Sequence, residues 1–346
     1  MRKEKKMIKK NITSCITLVI IMSAVCSGIS GCGITKEDEK EEKAVYAWPL
    51  GTSSPEDTVT QVFAEKFAEE VSKLSGGKMA IDIYPNSTIG NDSELLESCE
   101  EGDIPFVVQN TAPQVSYIPE TAVFDYPCAF DSIEDARKAV DNEEFYGELE
   151  AAYNKYGYEL LSIADQGFRV MTTNVKIEDI NDFKGQKIRT MENANQLSFW
   201  KNLNSNPTPM AFSEVYIGLQ QKTIDAEENP VEVIVSGKLY EQQDYIVETN
   251  HLPHYIVLFM NEELFDSLNE EEQEIMTEAA VTAKNYAREQ ADERIEDRLK
   301  IIEESGTEVI TPSEELYAQM RQLSQDTCDS IREQVGDELV DSYLEK

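Results

Sequence analysis

The chain is poor in the residues that most enzymes depend on. Among 346 residues there are two histidines, His251 and His254, two tryptophans, and no GxSxG, HExxH or phosphate-cradling glycine loop. In HLPH the two imidazoles lie three apart with Pro253 between them, so they do not share a regular helix face and zinc is not expected. No catalysis, cofactor or metal is expected. Basic residues are also scarce. Lys and Arg number 31 against 67 Asp and Glu, giving a net charge of −36, and such a surface repels nucleic acid and anionic headgroups. Cysteines with pairing or metal spacing are missing too: Cys99, Cys128 and Cys328 form an odd set without CxxC or Cys/His patterns and read as small buried hydrophobes.

Long apolar runs are nearly absent, with one exception near the start. MRKEKKMIKK carries six positive charges, CITLVIIMSAV is an apolar core too short for a comfortable membrane span, and ISGC follows. Residues 1–31 therefore read as an export signal, with an uncleaved anchor as the alternative. The sequence Ile29-Ser30-Gly31-Cys32 fits a lipobox, so Cys32 is expected to be lipidated and to hold an extracytoplasmic protein at the outer face of the cell membrane. Residues 1–31 hold six bases and one acid, a net +5, so the remaining chain carries −41. Residues 32–44, with KEDEKEEK, read as a charged tether that buries nothing.

Beyond the tether the pattern alternates. Val59, Val62, Phe63, Phe67, Val71 and Leu74 recur at helical spacing before Gly76-Gly77. KMAIDIYP then alternates like a strand, Ser93–Glu101 reads as a short helix, and Ile104–Gln109 as a second strand. Helices are expected near 132–141, 143–156 and 193–202. Separate strands are expected at 158–163, 168–173 and 186–190, with a buried strand at YIVLFMN. Ser213 is placed to cap the helix SEVYIGLQ. Residues 270–305 lack Gly and Pro and predict one long helix of about 54 Å, enough to brace two lobes. The fold class is therefore α/β, with mixed, mainly parallel sheets that bind ligands beyond their strands' carboxyl ends.

Eight arginines follow Cys32, and six of them lie in acid-rich helical segments where i,i+4 pairing accounts for them. Arg169 and Arg189 sit instead in the strand-like segments DQGFRVMTTN and GQKIRTME. A cation there either meets an internal carboxylate or points into a cleft. The planar guanidinium fork suits a ligand carboxylate as well as an internal one.

The runs INDFKGQKIRTMENANQ, NPTPMAFSEVYIGLQQKTIDAEENP and KLYEQQDYIVETNH resemble the DctP-type solute receptors of TRAP transporters, as do GGKMAIDIYPNSTIGNDSELL and IPETAVFDYPCAF upstream. The similarity covers nearly all of residues 45–300. It implies a two-lobe, periplasmic-binding-protein-like fold with hinge strands and a bracing helix, closing over an organic anion. Lobe I is expected at 45–166 and 255–294, lobe II at 167–254 and 295–346. The resemblance further implies that Arg189 grips the ligand carboxylate, that Arg169 is a second anion contact, and that Asn229 helps hold the same group. It makes Phe212 an aromatic wall. Asp92 keeps the acidic position of the "LG-D" turn and either touches ligand or caps the next helix. Asn110 replaces the acid that sialate binders use, which argues against sialate, and is placed in the binding set as a polar contact for a sugar acid. Trp48, Phe168 and Trp200 are further candidate rings, Trp48 being placed in the binding set. Glu227 and Glu228 read as solvated acids or as oxygen donors to a cation.

The expected ligand is a hexuronate or another sugar acid, then a C4-dicarboxylate. The expected partners are the membrane subunits of a TRAP permease, with the receptor a monomer. The alternative is a ligand-sensing subunit for a membrane histidine kinase.

Overall fold

The computed structural model describes residues 46–345. The export signal, Cys32 and the tether expected at 32–44 lie outside the described residues. No helix among the described residues is long and apolar enough to cross a membrane.

The first half alternates strand and helix: β1 (Tyr46–Gly51), α1 (Val59–Leu74), β2 (Met79–Tyr84), α2 (Asp92–Glu100), β3 (Phe106–Asn110), α3 (Ile133–Val140) and α4 (Glu143–Lys155). Next come β4 (Tyr158–Thr173), β5 (Ile188–Thr190), α5 (Ala194–Asn202), β6 (Thr208–Pro209), α6 (Phe212–Gln220), β7 (Ala226–Pro230), α7 (Val231–Ser236), β8 (Tyr245–Val247) and β9 (Pro253–Asn261). Helices α8 (Glu262–Ser267) and α9 (Glu270–Ser305), strand β10 (Glu308–Ile310), and helices α10 (Glu314–Leu323), α11 (Gln325–Val335) and α12 (Asp337–Leu344) complete the chain.

The strands run in the order β2-β1-β3-β9-β4-β7-β5-β6, with β8 on β4 and β10 on β8. Pairing is mixed. β1 is parallel to β2 and β3, β5 to β6 and β7, and β8 to β10, whereas β9 and β4 run against their neighbours. Where two strands were expected, β4 is one strand of 16 residues. Its first half pairs with β9 and its second with β7 and β8, so this strand belongs to both lobes. The apparent break is a bend. Pairing slips between Asp165 and Phe168, and Gly167 sits at φ +80°, a conformation that needs glycine.

Four cores follow from this layout. In the first lobe, one face of the sheet packs Leu95, Phe124, Phe145 and Tyr153, and the other packs Phe63, Phe67 and Phe106 against Ala279, Ala280, Ala283, Ala287 and Ala291 of α9. Burying a side chain such as Phe67 stabilises by about 2 to 3 kcal/mol. The second lobe has Phe199 and Trp200 on one side of its strands and Val215, Ile224 and Ile234 on the other, and the latter cluster also takes Ile302 of α9. The long helix therefore touches both lobes, as its length suggested. The last two helices depart from the expected boundary: Ile331, Leu339, Val340 and Tyr343 join the first lobe's core, so the end of 295–346 returns to that lobe.

Candidate functional site

Residues just beyond the carboxyl ends of the parallel strands converge on one crevice. Ser53 follows β1, Asn91 and Asp92 follow β2, Pro113 follows β3, Met191 and Glu192 follow β5, and Met210 to Ser213 follow β6. This is where ligands bind in α/β sheets of this kind. Arg189 of β5 lines the crevice, together with Phe212. Its volume is about 20 Å³, roughly one water and less than a sugar-sized guest fills. Other hollows are wider. One of about 790 Å³ is lined by Glu144, Glu148, Glu338 and Asp341 and would repel an anion.

Arg189 is 2% exposed. Its Nε and Nη2 both donate to the Met210 carbonyl, at 2.9 and 2.6 Å, while Nη1 is buried without a hydrogen-bond partner. Among the described residues every other arginine forms an ion pair, and Arg189 forms none. Burial pulls its guanidinium below the ordinary value, to about 10, with Glu228, Glu227 and Asp92 opposing that shift from a distance. It stays charged at neutral pH. A buried, unpaired cation beside a crevice is a poor stability device but a good anion receptor.

The six helical arginines are held differently from the i,i+4 expectation. Arg137 reaches Asp165 and Asp292, Arg288 reaches Asp141, and Arg294 and Arg298 share Asp57. Tertiary packing supplies these partners.

Arg169 is internally matched. Its Nε and Nη2 donate to the Glu228 carboxylate, Nη2 also reaches the Glu228 carbonyl and Asn229 Oδ1 (3.2 Å), and Nη1 meets His254 Nδ1. Arg169, expected as a second anion contact, has Glu228 and His254 on its guanidinium in this structure. His254 must accept at Nδ1, which requires its neutral form; burial, then the Arg169 charge, hold its pKa well below the usual histidine range. Burial raises Glu228, but Arg169 and His251 outweigh it and the carboxyl settles at about 2. His251 gives Glu228 a further contact at 3.1 Å from Nε2 and stacks on Phe199.

Glu227 and Glu228 are fully buried, contrary to the solvated reading. Glu227 accepts from Thr172 Oγ1 (2.9 Å) and Asn229 Nδ2 (2.6 Å), and burial pushes it up to about 7. Asn229 is thus spanned between Glu227 and Arg169. No cluster among the described residues is arranged to hold a metal ion.

Asp92 does not cap α2. Asn91 does, accepting from Ser93 N and Glu94 N while Glu94 returns the bond. Asp92 accepts instead from Ser53 Oγ at 2.6 Å and faces the crevice opposite Arg189, its carboxyl raised by burial. Ser213 likewise fails as a cap: α6 begins at Phe212, and its N-cap, Ala211, has no side-chain bond. Asn110 is turned inward, with Nδ2 on the Tyr255 carbonyl (2.8 Å) and Oδ1 on Ala112 N (2.9 Å). Trp48, expected in the binding set, stacks on Tyr46 and packs against Phe106 at the edge of the first lobe's core. Trp200 is wholly buried and Phe168 joins the first lobe's core. Sequence reasoning missed Ser53 and Glu192. Ser53, two residues beyond Gly51 at the end of β1 in the sequence GTSS, could have been found from its place after a strand end.

Between the lobes, Asp125 is buried under amides of α5 and its N-cap: Asn193 Nδ2 at 2.7 Å, Asn195 Nδ2 at 3.2 Å and Gln196 Nε2 at 3.3 Å. Burial raises it to about 7.

Residues 50–334 match the DctP family model, described as bacterial extracellular solute-binding protein, family 7. The 2,3-diketo-L-gulonate-binding periplasmic protein of Escherichia coli K12 is 30% identical over 272 residues, covering 78% of this chain and 82% of that one. Among solved structures, a sugar acid binding protein of Advenella mimigardefordensis in complex with galactonate is 32% identical with a TM-score of 0.83, covering 88% of this chain and 98% of that one. A TRAP periplasmic solute binding protein of Sulfitobacter with bound beta-D-galacturonate is 27% identical with a TM-score of 0.81, covering 86% and 99%. With a family match over most of its length and these relatives beside it, the chain belongs to the DctP family of extracellular solute-binding proteins, receptors rather than enzymes.

Proposed function

We propose that this receptor captures a monocarboxylate sugar acid, an aldonate or hexuronate, between its lobes and hands it to the membrane subunits of a TRAP transporter. One observation carries the ligand class: Arg189 Nη1 is a buried donor with no protein acceptor, on a guanidinium with no ion pair, beside the crevice. A carboxylate completes it. On the opposite wall Asp92, Ser53 and Asn91 offer acceptors and donors for hydroxyl groups, and Phe212 offers a flat apolar face. Asp92 and Glu192 make the crevice unfavourable for a second carboxylate, which ranks a C4-dicarboxylate below a sugar acid. The relatives that bind galactonate, galacturonate and diketogulonate support that order.

Arg169 acts in this reading as a positioning group that fixes Glu228 and Asn229 behind Arg189. A ligand held between the lobes favours a closed form with room for the guest, and the transporter reopens it. Cys32 as a lipid anchor and a monomeric receptor complete the proposal. The test is a thermal-shift series with galactonate, galacturonate and succinate on wild type and Asp92→Asn. A ligand at 100 times its dissociation constant adds about 2.7 kcal/mol. The sugar acids should raise Tm in wild type, and Asp92→Asn should narrow their lead over succinate. Succinate alone shifting the wild type would overturn the ligand class.

A further inference from the structure

We propose that Asp57, Arg294, Arg298 and Glu232 form a clamp outside the crevice that holds the lobes together and sets how much of the receptor is closed. The inference rests on lobe closure but not on which acid is bound.

The clamp lies where the long helix passes from one lobe to the other. Up to Ala291, α9 is packed in the first lobe's core; at Ile302 it is in the second's. Between them stand Arg294 and Arg298, four residues apart on one helix face. Two like charges at that spacing repel unless acids separate them. Each lobe supplies one. Asp57, in the segment between β1 and α1, accepts at Oδ1 from Arg294 Nη2 (2.6 Å) and Arg298 Nη2 (2.7 Å). Glu232, on α7 of the second lobe, accepts from Arg298 Nε (2.8 Å) and lies 2.9 Å from Arg294 Nη2.

Its position couples it to closure. Gly167, the bend of the shared strand, lies against Ile295, since a Cβ built there would come within 3.3 Å of Ile295 Cδ1. The two arginines therefore flank the hinge. Asp57 also shares its segment with Ser53, which binds Asp92 at the crevice wall. When the lobes part, Asp57 moves with the first lobe and Glu232 with the second, so the two guanidinium groups can no longer keep both acids.

An isolated exposed ion pair would do little. Here the Glu232 side chain is 3% exposed, each acid is shared by two arginines, and the four charges sum to zero. A preference for the closed form that is independent of ligand changes apparent affinity by the closed fraction, with no ligand contact altered.

The experiment uses ligand-free protein, so its outcome is separate from the identity of the ligand. Nitroxides are placed on Lys78→Cys in the first lobe and Lys184→Cys in the second, in a Cys128→Ser background, and interlobe distances are read by pulsed dipolar spectroscopy at 50 mM and 1 M NaCl. The expected result is a closed population at low salt that shrinks at high salt. Asp57→Asn should lower the closed-to-open ratio roughly five- to tenfold at low salt and remove the salt response. Glu232→Gln should act in the same direction. If that variant does not fold, the exposed Asp57 decides. Lys155→Gln, which breaks a pair within the first lobe, should change nothing. A wild type wholly open at low salt, or an Asp57→Asn distribution identical to wild type, overturns the clamp.

Discussion

Replacing Arg189 with methionine should separate binding from folding in opposite directions. In the empty receptor, burial lowers this guanidinium to about 10, which amounts to about 3 kcal/mol of unfavourable desolvation left uncompensated. Removing it also forfeits two hydrogen bonds, but both fall on one acceptor, the Met210 carbonyl, and are worth about 1 to 2 kcal/mol together. The balance leaves Arg189→Met unchanged or up to about 2 kcal/mol more stable, a rise of a few degrees in Tm for a domain of this size. Affinity should move the other way. Truncating one partner of a buried charged pair removes about 2 to 5 kcal/mol, or roughly 30- to several-thousand-fold in Kd. Calorimetric unfolding of the ligand-free proteins, paired with titration of galactonate, reads both quantities. A variant more than about 2 kcal/mol less stable than wild type would show that this side chain serves the fold. A loss of affinity under about threefold would show that the carboxylate is held elsewhere.

Two other perturbations test neighbouring assignments. Trp48→Ala should destabilise by about 2 to 4 kcal/mol, seen in denaturant unfolding, because the ring packs on Phe106; galactonate affinity should stay within about threefold, and a larger loss would return Trp48 to the binding set. Asp125 predicts a pH effect. Its carboxyl is raised to about 7 in the fold, so the native state holds that proton more tightly than the unfolded chain does. The associated stability is fully present below about pH 4 and is lost as pH rises to about 7. Asp125→Asn should remove about 1 to 4 kcal/mol of that decline, so its Tm relative to wild type climbs between pH 4.5 and pH 8. Parallel curves for the two proteins would contradict the burial argument.

The sequence discloses local order and the one cation without a local reason, and it is silent where the answer depends on tertiary neighbours. Helix α9 was legible over Glu270–Ser305 because nothing in it breaks a helix, and β9 because an apolar run near a proline has few other fates. Arg189 stood out by segment type. Its twin Arg169 had the same signature, yet the two differ: Glu228 lies within reach of one and not of the other, a distinction set by strand pairing. Glu227 and Glu228 looked solvated because acids usually are, and only the sheet around β7 buries both. The break expected within β4 was a glycine bend, since a strand that serves two lobes still carries a turn signal. Asn91 rather than Asp92 took the cap, one residue from the expected alternative, and that shift freed a carboxylate for the crevice.

The long helix also has a mechanical consequence. From Ala291, the last residue seated in the first lobe, to Ser305 there are 14 steps of helix, about 21 Å of rod. Tilting that rod by about 10° around its alanine seat would carry the far end roughly 4 Å sideways, taking Ile302 and the helices around it along. Small side chains at the pivot offer few interlocking knobs, so the helix can act as a lever, turning a slight rotation near the fulcrum into a wide swing at the jaw.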